Sequence, residues 1–173
     1  MIETLITVLS IAFIPIFLLL FFEKTSLKQV PRKLGFVYNK NTLFNSLKLF
    51  LYLLIALFLV NAILAFLGLS DEGKIIDFIK TKSILTLLIA ITLSPIVEEM
   101  LFRGYLVPRI GVVFSSLVFG GLHYAYGSTT QIIGTIIAGI ILGLNYRKNK
   151  DLTSCIIAHA LYNATSLMLF FYL

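Results

Sequence analysis

No charged side chain occurs between Glu3 and Glu23, between Lys48 and Asp71, between Arg109 and Arg147, or after Asp151. A helix needs about 20 consecutive apolar residues to cross the hydrocarbon core of a bilayer, and each of these runs is close to that or longer. The Arg109–Arg147 interval is long enough for two crossings. Its turn is expected at Gly127-Ser128-Thr129-Thr130, with Tyr124 and Tyr126 as interface anchors. Composition agrees, since 59% of the residues are hydrophobic and 13% charged, about half the charge of a soluble domain. The pattern predicts an all-α, polytopic transmembrane helical bundle of about six spans. These are 3–22, 46–69, 83–107, 110–126, 130–146 and 152–173.

Met1-Ile2-Glu3 lacks a basic start, and no small-residue cleavage site precedes Glu23-Lys24, so residues 4–22 are expected to remain as a membrane helix. The net charge of +6 does not point to nucleic acid, because the basic residues sit beside the apolar runs and read as topology signals. Lys24, Lys28, Arg32, Lys33 and Lys40 lie in the 23–45 connection, an expected interfacial segment, and Arg147, Lys148 and Lys150 in the 147–151 turn. On the opposite side Lys74, Lys80 and Lys82 are offset by Asp71, Glu72 and Asp77. The positive-inside rule then puts the 23–45 loop in the cytoplasm and both termini outside, in a multi-pass protein of the cell membrane. Small residues spaced by four, Gly139 with Gly143 and Ser116 with Gly120, predict close packing of the fourth and fifth spans.

Polar groups are costly at membrane depth, so those that occur there mark a functional site by default. They gather in three places. Glu98 and Glu99 precede Arg103. Glu99 and Arg103 share a helix face at i, i+4 and can pair, while Glu98 is turned about 100° away. Pro95 removes a partner from the Ile91 carbonyl and predicts a kink. His123 ends Phe119-Gly120-Gly121-Leu122-His123, and His159 shares a face with Asn163. Cys155 also shares that face and raises a thiol nucleophile, although a lone cysteine in a membrane helix ordinarily packs as a small apolar residue. As the single cysteine it forms no intrachain disulfide.

Glu-Glu-x-x-x-Arg, Phe-x-x-x-His and His-x-x-x-Asn, in that order on successive spans, resemble the CAAX-protease and bacteriocin-processing (CPBP, or Abi) family of intramembrane proteases. The resemblance covers about residues 83–170. It divides the chain into a catalytic core, 83–173, and N-terminal membrane helices with the basic loop, 1–82. It implies an intramembrane endopeptidase whose catalytic residues are Glu98, His123, His159 and Asn163, supported by Glu99 and Arg103. Its substrates would be membrane-embedded or lipidated peptides, including prenylated CaaX types. Glu98 would act as general base, His123 would help hold the water, and His159 with Asn163 would donate to the oxyanion. The four are expected to line one cavity, with Glu99 and Arg103 paired at its edge. Two histidines and a glutamate would suit a catalytic zinc, but such a metal site would consume the base and the oxyanion donors, which favours no obligatory metal. The competing readings are a non-catalytic immunity or scaffold protein of the same fold and a small proton-coupled transporter. The intact polar set weighs against the first, and the lack of internal symmetry against the second.

Overall fold

The computed structural model describes residues 2–172, with side chains from Leu5 to Phe170. All regular structure among the described residues is helical. The elements are α1 (Ile2–Phe21), α2 (Val30–Leu34), α3 (Thr42–Phe66), α4 (Glu72–Lys80), α5 (Ile84–Ile91), α6 (Leu93–Glu99), a π-helical segment (Met100–Leu106), α7 (Val107–Leu122), α8 (Thr129–Asn149) and α9 (Leu152–Tyr172). Helical stretches long and apolar enough to cross a membrane run over Thr42–Phe66, Ile84–Tyr126, Thr129–Asn149 and Leu152–Phe170. Leu5–Phe21 forms a shorter apolar helix.

The 43-residue Ile84–Tyr126 stretch is not one rod. Gly111 sits at φ 80° and ψ 170°, a conformation essentially reserved for glycine. The chain reverses there. Ser115 Oγ donates to the Phe102 carbonyl at 2.8 Å, and the Phe102 and Phe119 rings lie 4.8 Å apart. A straight helix would hold Phe102 and Ser115 about 20 Å apart. The reversal falls at the very start of the expected 110–126 span, so the described residues form six apolar rods in series.

The first of those two rods is itself bent. α5 gives way to α6 at Thr92, and Pro95 follows in the first turn of α6, where the missing proline N–H was expected to free a carbonyl. Immediately after α6 the helix widens into π geometry over Met100–Leu106. Such wide turns are rare overall and are frequent at functional sites.

Two ends are distinguishable. At one, the 23–45 connection meets the 147–151 turn. Thr42 Oγ1 donates to Asp151 Oδ2 at 3.0 Å, Tyr146 donates its hydroxyl to the Leu34 carbonyl at 3.1 Å, and Leu152 N donates to Gly35 O at 2.8 Å. Glu23 pairs there with Lys33 and Arg109. The main buried cluster, including Leu34, Leu49, Leu53, Val107, Leu142, Tyr146, Leu152 and Cys155, fills this half. At the other end, Ser128 caps α8 by accepting from Gln131 N at 3.1 Å, so the expected 127–130 turn is present. The amphipathic helix α4 was not anticipated from the sequence. Its charges resemble a polar loop, while Ile75, Phe78 and Ile79 form a one-sided apolar face.

α7 beyond Gly111 packs tightly on α8. A Cβ on Gly139 would lie 2.9 Å from Ser116 Cβ, and one on Gly120 only 2.2 Å from Ile136 Cγ1. This is the close backbone approach that small residues permit in lipid.

Candidate active site

A cavity of about 660 Å³ lies in the half of the bundle away from the basic end. Glu98 from the end of α6, His123 at the end of α7, and His159 and Asn163 from α9 all line it. Three separate rods thus bring the four residues to one space. Leu53, Leu57, Ile75, Phe78, Leu87 and Leu167 give it apolar walls, and Ser94, Thr135 and Ser166 add hydroxyls.

Each histidine has one ring nitrogen fixed. His123 Nδ1 lies 2.8 Å from the Phe119 carbonyl one turn earlier. A carbonyl can only accept, so Nδ1 carries the proton and Nε2 is left to face other partners. His159 Nδ1 lies 2.8 Å from Glu99 Oε1, and its Nε2 lies 3.9 Å from Glu98 Oε2. The imidazole therefore stands between two carboxylates. Glu99 Oε1 also accepts from Arg103 Nη1 at 2.7 Å. Both partners are almost completely buried, at 0% and 1% side-chain exposure. They do not sit at the cavity edge as expected but behind the wall, beneath His159. The π-helical turn places Arg103 where its guanidinium lies 4.5 Å from the Phe119 ring centre.

Asn163 Nδ2 donates to the Ala90 carbonyl at 3.0 Å. That carbonyl belongs to the last turn of α5, just before the break at Thr92, where helix carbonyls lose their partners. The kink and the asparagine are thus one device: the break exposes a carbonyl, and Asn163 satisfies it. The amide retains a second N–H, and Asn163 lines the cavity.

Phe119 serves both as acceptor for His123 and as a ring wall, 4.7 Å edge-on to His123 and 6.1 Å from His159. Tyr126 stacks on His123 at 5.5 Å and 15°. It was expected at the membrane interface beside Tyr124, but only Tyr124 is strongly exposed. The signal for its inward position was the three-residue spacing from His123, which a 3₁₀ turn over His123–Tyr126 places on one side. Cys155 is fully buried in the packed half, donates weakly to Leu142 O at 3.6 Å, and does not line the cavity.

Among the described residues, no three His, Cys, Asp or Glu side chains gather closely enough to ligate one ion. The described residues do not fit a three-ligand zinc site.

Residues 80–165, about half of the chain, match the family described as Type II CAAX prenyl endopeptidase Rce1-like. The chain belongs to the Rce1-like family. The matched segment contains every residue of the constellation, from Glu98 to Asn163. "Uncharacterized protein YpbD" of Bacillus subtilis (strain 168) is 36% identical over 98 residues, covering 56% of this chain and 52% of that protein. An "Uncharacterized protein" of Mycoplasma capricolum subsp. capricolum is 29% identical over 92 residues, covering 50% of this chain and 27% of that protein. The match thus spans about half or less of each relative's length. No solved structure matches the chain. Family and apolar helices together make this Rce1-like chain a helical membrane protein.

Proposed function

We propose that the chain is an intramembrane endopeptidase that hydrolyses peptide bonds of membrane-embedded or lipidated substrates, with CaaX-type prenylated proteins as the class suggested by its family. The observation that carries this reading is the convergence of Glu98, His123, His159 and Asn163 on one cavity with apolar walls. Residues 83–173 would form the catalytic part and residues 1–82 its membrane scaffold.

Glu98 acts as general base on a water held between its carboxylate and His123 Nε2, whose orientation is set by the Phe119 carbonyl. The water oxygen bonds to the scissile carbonyl carbon while its proton passes to Glu98. The carbonyl oxygen becomes an oxyanion, stabilised by the second Asn163 N–H and by protonated His159 through Nε2–H. Collapse of this intermediate breaks the C–N bond, and the Glu98 proton goes to the leaving amine. One water is consumed and two peptide fragments leave. Glu99 and Arg103 take no part in bond changes; they hold the imidazole of His159. The apolar part of the cavity wall strengthens each of these interactions relative to bulk water.

The test is turnover of a membrane-embedded or prenylated peptide by purified Glu98→Gln. The variant keeps shape and hydrogen bonding but removes the base, so hydrolysis should fall by at least ~10²-fold with unchanged thermal unfolding. Full activity would reject the reading.

A further inference from the structure

His123 differs from His159 in having, among the described residues, no charged group bonded to its ring. One nitrogen meets the Phe119 carbonyl, and the rest of the ring is held by aromatic faces. Tyr126 stacks on it at 5.5 Å with an interplanar angle of 15°, and Phe119 meets it edge-on at 4.7 Å. Tyr126 has a support of its own. Phe78 of α4 meets its ring edge-on at 4.7 Å and 62°, and Lys82 Nζ lies 3.9 Å from the centre of the Phe78 ring.

These contacts form a continuous file, Lys82–Phe78–Tyr126–His123–Phe119, and all five residues line the cavity. The file begins at Lys82, just past the end of α4, continues through Phe78 on α4, a helix outside the membrane-spanning rods, and ends on the cavity wall formed by α7. α4 is attached to the turn carrying Tyr126 through Asp71. Its carboxylate accepts from Ser128 Oγ at 2.6 Å, Thr129 N at 2.8 Å and Thr130 N at 3.1 Å. The Phe119 carbonyl fixes one ring nitrogen of His123, and in a short 3₁₀ turn at a helix end ring packing supplies the further restraint that aims its Nε2.

We infer that Tyr126 is a positioning residue that aims His123 by ring stacking, and that Phe78 acts on His123 only through Tyr126. This rests on His123 holding the attacking water. α4 thereby couples one cavity wall to the water-binding nitrogen: a substrate that packs against Phe78 also stiffens the Tyr126–His123 stack.

The experiment is steady-state hydrolysis of a membrane-embedded peptide by the full chain and its variants, with thermal unfolding as the fold check. Tyr126→Phe keeps the stack and should stay within about twofold of the parent kcat. Tyr126→Leu should lower kcat about tenfold with KM little changed, because substrate binding survives while the water loses its alignment. Phe78→Leu should lower kcat by a smaller factor, and adding it to Tyr126→Leu should cost nothing further. Parent kcat in Tyr126→Leu, equal loss in Tyr126→Phe, or fully additive losses would overturn the inference. Phe78→Leu alone, at parent kcat, would also overturn it if Tyr126→Leu failed to fold. Glu98→Gln in the same series separates the two ideas. If it is inactive while Tyr126→Leu is unaffected, only the positioning role fails; if it is fully active, the endopeptidase reading fails.

Discussion

Glu99 Oε1 lies 2.8 Å from His159 Nδ1, and the same oxygen takes Arg103 Nη1 at 2.7 Å. One buried carboxylate thus orients a cavity imidazole and neutralises a buried guanidinium. These two duties can be separated. Arg103→Ala leaves Glu99 buried without its cation and should cost roughly 3–5 kcal/mol, read as loss of yield and of thermal stability. Replacing both with methionine removes the uncompensated charge and should recover most of that stability. Activity should stay about 10- to 100-fold low, because His159 has lost its orienting acceptor. A stable double variant with parent activity would show that Glu99 serves Arg103 alone.

The helix pair α7–α8 allows a second prediction, about packing. A Cβ on Gly139 would lie 2.9 Å from Ser116 Cβ and 3.1 Å from its Cα, in two rods that carry or flank the site. Gly139→Val should therefore destabilise the protein by about 1–3 kcal/mol through overpacking. Adding Ser116→Gly opens that space and should return part of the loss. Thermal unfolding in detergent measures both, and a neutral Gly139→Val would show that the rods part more easily than their contact suggests.

Much of this arrangement was legible in the sequence because membranes impose simple rules. Charge-free runs gave the rods, and the interval around Arg109 gave the hairpin. Pro95 gave the break in the third rod, and Gly-x-x-x-Gly spacing gave the tight α7–α8 face. Local pairs such as Glu99 with Arg103 followed from helical geometry. What was not legible depends on distant partners. The Glu99–His159 bond joins residues 60 apart in sequence, and the Asn163–Ala90 bond joins residues 73 apart. Helix α4 was hidden by its length and charges, although Ile75, Phe78 and Ile79 at i, i+3 and i+4 were the available signal. The π-helical turn left no sequence mark that would have placed Arg103 behind His159.

Asp71 supplies a pH prediction outside the spans. The Ser128 hydroxyl and the amide groups of Thr129 and Thr130 hold its carboxyl well below the usual carboxylate range, with the Ser128 bond the strongest cause. A carboxyl whose pKa is depressed on folding stabilises the fold above its unfolded value and loses that contribution as the pH falls. The attachment of α4 should therefore be intact at neutral pH and begin to weaken as pH drops through about 4. Limited proteolysis of the 67–83 connection should increase over that range. Asp71→Asn should show raised cleavage already at pH 7 and little further change on acidification. Equal cleavage in both proteins at every pH would exclude the Asp71 clasp.

Orientation in the membrane gives the last prediction. The 23–45 connection and the 147–151 turn share one end of the bundle, joined by the Thr42–Asp151 and Tyr146–Leu34 bonds. Their lysines and arginines therefore act together on topology, and their side is expected to be cytoplasmic. Lys74 lies in α4 at the other end, with a side chain 62% exposed. A cysteine-free background comes from Cys155→Ala, which should leave activity nearly unchanged because that thiol packs away from the cavity. In this background, Lys28→Cys should resist a membrane-impermeant maleimide in intact cells and react once the cells are opened. Lys74→Cys should react in intact cells. Substrate would then approach the cavity beneath α4 from the outer side or laterally from the bilayer. Labelling of Lys28→Cys from outside, with protection of Lys74→Cys, would invert the topology and put α4 and the cavity mouth at the cytoplasmic face.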